Sequence, residues 1–205
     1  MNKCTSFAFL VCFFCLPYGT IAQKHRGEYG ITKGSLYFNV GVGFGRFGEW
    51  PNNKLPLSKY YGESTKIPLT SFALDIALTD YITVAPFIGY AYTGQNRIFS
   101  GGTHGYHDWY HHYLVGSKNA AHFPISGHFT GYAGVSLGIQ WTKEKLDYYN
   151  NINNDPSTTT TYSERHFFYS VFAGSKYHIT KRAALFAEVG YGITWGNVGA
   201  SFKVH

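Results

Sequence analysis

The chain has 205 residues, of which 19% are aromatic and 14% charged, with 24 glycines and a formal net charge of +6. Soluble domains carry about 25% charged residues, so this balance argues against an ordinary soluble domain. Lys and Arg are scattered with no run longer than two, which argues against a nucleic-acid partner.

The N-terminus comes first in chain order. Lys3 is followed by an apolar run from Phe7 to Leu16, broken by Pro17 and Gly19, and Thr20-Ile21-Ala22 offers a small-residue cleavage site before Gln23. The pattern is that of a secretory signal peptide over residues 1–22, since a helical span needs about 20 apolar residues. Residues 23–205 are then the mature chain, one domain. Cys4, Cys12 and Cys15 all fall in the leader, so disulfides, thiol catalysis and Cys-type zinc sites are excluded from the mature chain. No later stretch approaches about 18 uninterrupted apolar residues.

Period-two alternation then recurs to the C-terminus. Leu36, Phe38, Val40, Val42 and Phe44 alternate with small or polar residues, as do Phe72, Leu74, Ile76 and Leu78. The third segment sets Ile82, Val84, Pro86, Ile88, Tyr90 and Tyr92 against Thr83, Ala85, Phe87, Gly89 and Ala91. Each reads as a strand with one apolar face. Five more follow, near 110–122, 128–142, 165–178, 183–194 and 197–205. The count is eight, the even number that bacterial membrane barrels require. Pro86 lacks a ladder donor, so a local bulge is expected there.

The connections alternate in length. Those at Thr79-Asp80, Phe123–Gly127 and Ile179–Arg182 are short, whereas those at about 47–67, 96–109 and 143–164 are long. All the long ones fall at one end, as in barrels with short periplasmic turns and long extracellular loops. The third, with Asn150–Ser157 and four threonines, reads as a solvated, disorder-prone loop. Gly116-Ser117-Lys118 and Gly174-Ser175-Lys176 form a weak internal repeat, as do 132–138 and 186–192.

A soluble lipocalin-like barrel would turn the apolar face inward around a small hydrophobic ligand, and a membrane barrel would turn it outward. The other face is rich in Gly, Ala and Ser, with Asp75, Glu188, Lys118, Lys176 and Lys203 among them. Small residues suit the lumen of a narrow eight-stranded barrel, and the five charges must then pair there. Asp75 and Glu188 are each expected within ion-pair reach of a lumen lysine. Tyr90, Tyr92, Trp141 and Tyr191 toward the long loops, and Phe123 and Tyr177 toward the turns, read as interfacial girdles.

The leader, the eight alternating strands and the closing Val198-Gly199-Ala200-Ser201-Phe202-Lys203-Val204-His205 resemble the small outer-membrane β-barrel proteins related to OmpX and the OmpA barrel domain. The resemblance implies an all-β, eight-stranded antiparallel transmembrane up-and-down barrel in the outer membrane. It also implies insertion by the barrel assembly machinery and contact with outer-membrane lipid and lipopolysaccharide. With the eighth strand at the C-terminus, no appended periplasmic domain for peptidoglycan is expected.

Candidate chemistry is sparse. His104, His107, Asp108, His111 and His112 could ligate a metal, but Tyr106, Trp109, Tyr110 and Tyr113 interleave with them at no recognised spacing. His122 with Ser126, or His166 with Glu164, could be cast as a lipid A-modifying site. His122 and Ser126 fall at the turn end, and neither pair matches an enzyme motif. His128 and His178 read as polar interfacial residues. An eight-stranded lumen also holds Phe87, Phe172 and Phe186, too crowded for a general pore. The reading is a monomeric, non-enzymatic barrel without cofactor, whose long loops serve adhesion, surface interaction or envelope integrity.

Overall fold

The computed structural model describes residues 31–44, 64–98, 104–150 and 155–204. The segment 1–22 expected to be a signal peptide, most of the first long loop and the tips of the other two long connections lie outside the described residues.

Eight strands follow one another: β1 (Leu36–Phe44), β2 (Ser64–Ala77), β3 (Ile82–Ile98), β4 (His104–Pro124), β5 (Phe129–Asn150), β6 (Asp155–His178), β7 (Ala183–Tyr191) and β8 (Gly196–Lys203). Each pairs antiparallel with its neighbour in sequence, and β1 pairs with β8 to close the sheet. Closure leaves no free sheet edge through the body of the barrel, so the backbone donors and acceptors of each strand face a neighbouring strand on both sides.

Alternation fixes which residues face out. Phe38, Val42, Phe72, Leu74, Ile88, Val115, Leu137, Ile139, Val171 and Val198 are exposed on the outside, while Tyr37, Asn39, Asp75, Phe87, Leu114, Phe168 and Lys176 are buried within. A soluble lipocalin-like barrel would have the opposite polarity. The outward positions run up to a ring formed by Phe44, Tyr90, Tyr113, Trp141, Tyr169 and Tyr191, and below it none is Asp, Glu, Lys or Arg among the described residues. Phe123, Phe129, Tyr177 and Phe202 form the lower ring, all exposed. On β5 the outer stretch from Phe129 to Trp141 exceeds the roughly 9–11 residues a tilted strand needs to cross a bilayer. An uncharged apolar belt between two aromatic rings is stable against lipid and not against water. The chain is a transmembrane β-barrel.

Three turns close the lower end with one design. Leu78, Ile125 and Ile179 each donate a backbone N–H to the carbonyl four residues on, all at 2.9 Å. The Thr79 hydroxyl accepts from the amides of Tyr81 (3.1 Å) and Ile82 (3.0 Å), and that of Thr180 from Arg182 (3.2 Å) and Ala183 (3.0 Å). These side chains satisfy turn amides that have no ladder partner. Residues 31–35 fold beneath the barrel, where Gly34 takes a φ of 83° and its amide donates to the Ala77 carbonyl at 2.8 Å.

Two expectations are corrected. The third long connection is largely strand: β5 and β6 stay paired up to Asn150↔Asp155, with Thr158–Thr161 opposite Tyr148–Lys145. The second is likewise ladder as far as Ile98↔Gly105. Pro86 makes no bulge, since its pairing with β4 is in register. The β2–β3 ladder instead skips Pro86 and Ala85 and resumes in the same register at Ile76↔Val84. The register shifts fall at Pro68, between Ile67 and Thr70, and opposite Tyr148 and Tyr149, where Ser157 is left out of the pairing beside Pro156.

Candidate functional site

The lumen is built from cross-strand pairs of one large ring and one glycine. Phe87 is the register partner of Gly116, Tyr132 of Gly174, Phe168 of Gly138, Phe172 of Gly134 and Phe186 of Gly199. A Cβ at any of these glycines would lie only 2.6–3.0 Å from the partner ring. Each ring therefore covers bare backbone beside it, which lets five rings share a narrow lumen.

A charged layer crosses the middle. Lys176 on β6 donates to Asp75 Oδ2 on β2 at 2.8 Å, with Asn39 Oδ1 and Ser201 Oγ each at 3.4 Å. Lys118 on β4 pairs with Glu188 on β7, and its ammonium lies 4.5 Å from the Phe172 ring centre. Glu188 also accepts from the Tyr132 hydroxyl at 2.9 Å and from Asn197 Nδ2 at 3.0 Å. Neither ion pair joins adjacent strands, so each ties opposite walls across the lumen. Lys203 faces the same interior with its ammonium 5.9 Å from the Tyr37 ring centre, and no carboxylate lies within salt-bridge distance of it among the described residues.

Apolar layers bound this polar one. Leu69, Phe87, Ala91, Leu114 and Phe168 pack together above it, with Ile193 against them, and Ile31, Tyr37 and Ala77 close the lower end. A cavity of about 80 Å³ remains in the lumen, lined in part by Asn39, Thr83, Lys118, Glu188 and Asn197 and reaching Ile193 and Thr194. That is room for a few waters.

The other sequence candidates are dispersed. Adjacent in a strand, His107 and Asp108 face opposite sides: His107 stacks on Trp109 outside, with ring centres 5.7 Å apart, while Asp108 is buried on the inner side. His104 pairs with Asn150 at the start of β4. Among the described residues no group of three or more His, Cys, Asp or Glu side chains could hold a metal ion. His122 points into the lumen and shares a hydrogen bond with Thr83 Oγ1 at 2.8 Å, whereas Ser126 lies exposed in the turn. His166 Nε2 does meet Glu164 Oε2, at 3.0 Å, but both side chains are largely exposed, and Ser163 alternates to the opposite face. His178, expected at the interface, is buried in the lumen and shares a hydrogen bond with Thr130 Oγ1 at 3.1 Å. Tyr132, Asn39 and Asn197, which complete the charged layer, were legible only as inward positions of their strands.

The wall is uneven. β7 and β8 have 9 and 8 residues, while β4, β5 and β6 have 21, 22 and 24. β3 to β6 therefore rise above the upper ring as a sheet. On its inner face the Tyr110 hydroxyl donates to Glu144 Oε1 at 2.9 Å, and His112 Nδ1 lies 3.1 Å from Thr142 Oγ1 and 3.2 Å from Gln140 Nε2.

No family model and no curated protein matches the chain. Among solved structures it is similar to the N-terminal β-barrel domain of OprF from Pseudomonas aeruginosa, at 14% identity and a TM-score of 0.48, covering 83% of this chain and 98% of that one. It is also similar to Ail, the attachment invasion locus protein of Yersinia pestis, at 12% identity and a TM-score of 0.41, covering 84% and 96%. A chain from a de novo design of transmembrane β-barrels aligns at 15% identity and a TM-score of 0.44, covering 85% and 99%. The placement in a membrane rests on the barrel's own outer surface.

Proposed function

We propose that the protein is a non-enzymatic integral outer-membrane barrel, exported through its leader, that carries a projecting sheet for contacts outside the cell. Adhesion, surface interaction or envelope integrity is the class of role this supports. The observation that carries the reading is the unequal wall. Crossing the membrane needs only the lower part of each strand, yet β4, β5 and β6 run on for more than twice the length of β7 or β8. A ladder kept in order beyond the bilayer has no use in anchoring and makes a rigid platform for recognition. The lumen supports the same reading, because a barrel crowded by five rings and two ion pairs suits a foot for that platform better than a route for solutes. Bacterial membrane barrels with short turns on one side and long excursions on the other place the excursions outside the cell. The sheet would then face the exterior, and the partners nearest to it would be outer-membrane lipid and lipopolysaccharide.

The test starts with the full-length gene in a Gram-negative host. The outer membrane is isolated and the protein run on a gel with and without boiling. A band in that fraction that shifts on heating is expected, together with binding of cells to a host surface that is lost when the sheet above the ring is trimmed. A soluble periplasmic product, or unchanged binding after trimming, would overturn the reading.

A further inference from the structure

Directly above the upper aromatic ring, the outward face of three adjacent strands changes character. On β5 Trp141 is followed on the same face by Lys143 and Lys145, on β6 Phe167 by Arg165, and on β4 Tyr113 by His111 and Trp109. The register sets His111 opposite Lys143, Trp109 opposite Lys145 and Trp141 opposite Arg165. The Lys145 ammonium lies 4.8 Å from the Trp109 ring centre and 3.2 Å from Asp147 Oδ2, contacts that hold it on the outer surface. Lys143 and Arg165 are exposed, and neither has a carboxylate within salt-bridge distance among the described residues.

Position decides what such a cluster can meet. Tyr and Trp rings mark the depth at which hydrocarbon gives way to headgroups. Cations one step beyond that ring, on a face that looks sideways along the membrane, meet headgroups before anything in bulk solution. We propose that Lys143, Lys145 and Arg165 form a binding site for the phosphate groups of a lipid in the adjoining leaflet, with Trp141 and Trp109 flanking its sugar or glycerol portion. Arg165 supplies a planar fork that matches two phosphate oxygens, and the lysines supply point charges. The site fixes one side of the barrel against an anionic lipid and so sets how the projecting sheet stands on the membrane. This inference rests on the membrane placement argued above.

The test uses the full-length protein in phosphatidylcholine nanodiscs doped with bisphosphorylated lipid A, or with the same lipid freed of phosphate. Retained lipid is counted by native mass spectrometry. Wild type and a control at the opposite end, Lys33→Ser, should retain the phosphorylated lipid at least tenfold over the dephosphorylated one. Lys143→Ser/Arg165→Ser should lose roughly tenfold or more, since each cation beside an anionic surface is worth about fivefold. Should that double variant fail to insert, Arg165→Gln alone carries the expectation of about a fivefold loss. Equal retention by the variants, or equal retention of the dephosphorylated lipid, would overturn the site. Displacement of the lipid by inorganic phosphate or a soluble sulfated glycan would reassign the cluster to soluble anions and overturn it too. Heat-shifted bands from the same samples separate these failures from a barrel that does not insert, which would overturn the membrane placement itself.

Discussion

Lys176 is buried, at 5% exposure, and its ammonium meets the Asp75 carboxylate from the opposite wall at 2.8 Å. Removing one partner of such a pair leaves an uncompensated charge, which costs about 3–5 kcal/mol, whereas replacing both with apolar groups is often neutral. Lys176→Met should therefore lower unfolding stability by about 3 kcal/mol, and Lys176→Met/Asp75→Leu should recover most of it, read as urea midpoints of the heat-shifted band. A single variant as stable as wild type would mean that water already screens the pair. The ring–glycine pairs respond to volume instead of charge. A Cβ at Gly138 would meet the Val115 carbonyl oxygen and lie 2.7 Å from the Phe168 ring, so Gly138→Ala should destabilise by roughly 1–3 kcal/mol. Adding Phe168→Leu should restore part of that, and an unaltered midpoint in the single variant would refute the tight packing. Parity along each strand made the lumen residues legible, because a residue's face depends only on its place in the alternation. Which acid meets which lysine was not legible, since the partners sit on strands β2 and β6 or β4 and β7 and their meeting depends on barrel diameter and stagger.

At the scale of the element, the β5–β6 hairpin is where sequence and structure diverge most. Alternation is a signal of one buried face, and it fades where both faces of a strand are wet. The polar run near 150–161 therefore reads as a loop although its threonines suit a strand. The bulge expected at Pro86 is not there, and the proline lies instead in a gap of the β2–β3 ladder. Pro68 lies at a register shift and Pro156 beside one, and all three lack the donor that a regular ladder position requires. The internal repeat has a plain meaning here: in Gly116-Ser117-Lys118 and Gly174-Ser175-Lys176 the glycine lies under a ring and the lysine enters the charged layer. Because the belt ends at the aromatic ring, the hairpin above it should be dispensable for folding. Glu144 and Tyr162 are register partners, so an Asn-Gly turn can join them in place of 145–161. The shortened protein should still insert and shift on heating. Loss of that shift would show that the upper ladder is needed to form the barrel.

For the whole molecule, the distribution of charge decides the behaviour. Among the described residues, charges lie within the lumen or beyond the rings and are missing from the outer belt, which is the arrangement that lipid outside and a packed interior require. Five rings and two ion pairs crowd the lumen, so planar bilayers containing the purified protein should show no sustained channel steps. Steps in wild type that vanish in Lys118→Ala would instead mark the charged layer as a gate. The alternation, the glycine and aromatic content and the spacing of turns determined the barrel, its strand count and its outward apolar face, because these follow from local chemistry repeated along the chain. The tertiary structure alone decided the height of each strand above the membrane, the pairing of each ring with its glycine and of each lysine with its acid. Those depend on closure and register, which bring together residues far apart in the chain that no local pattern connects.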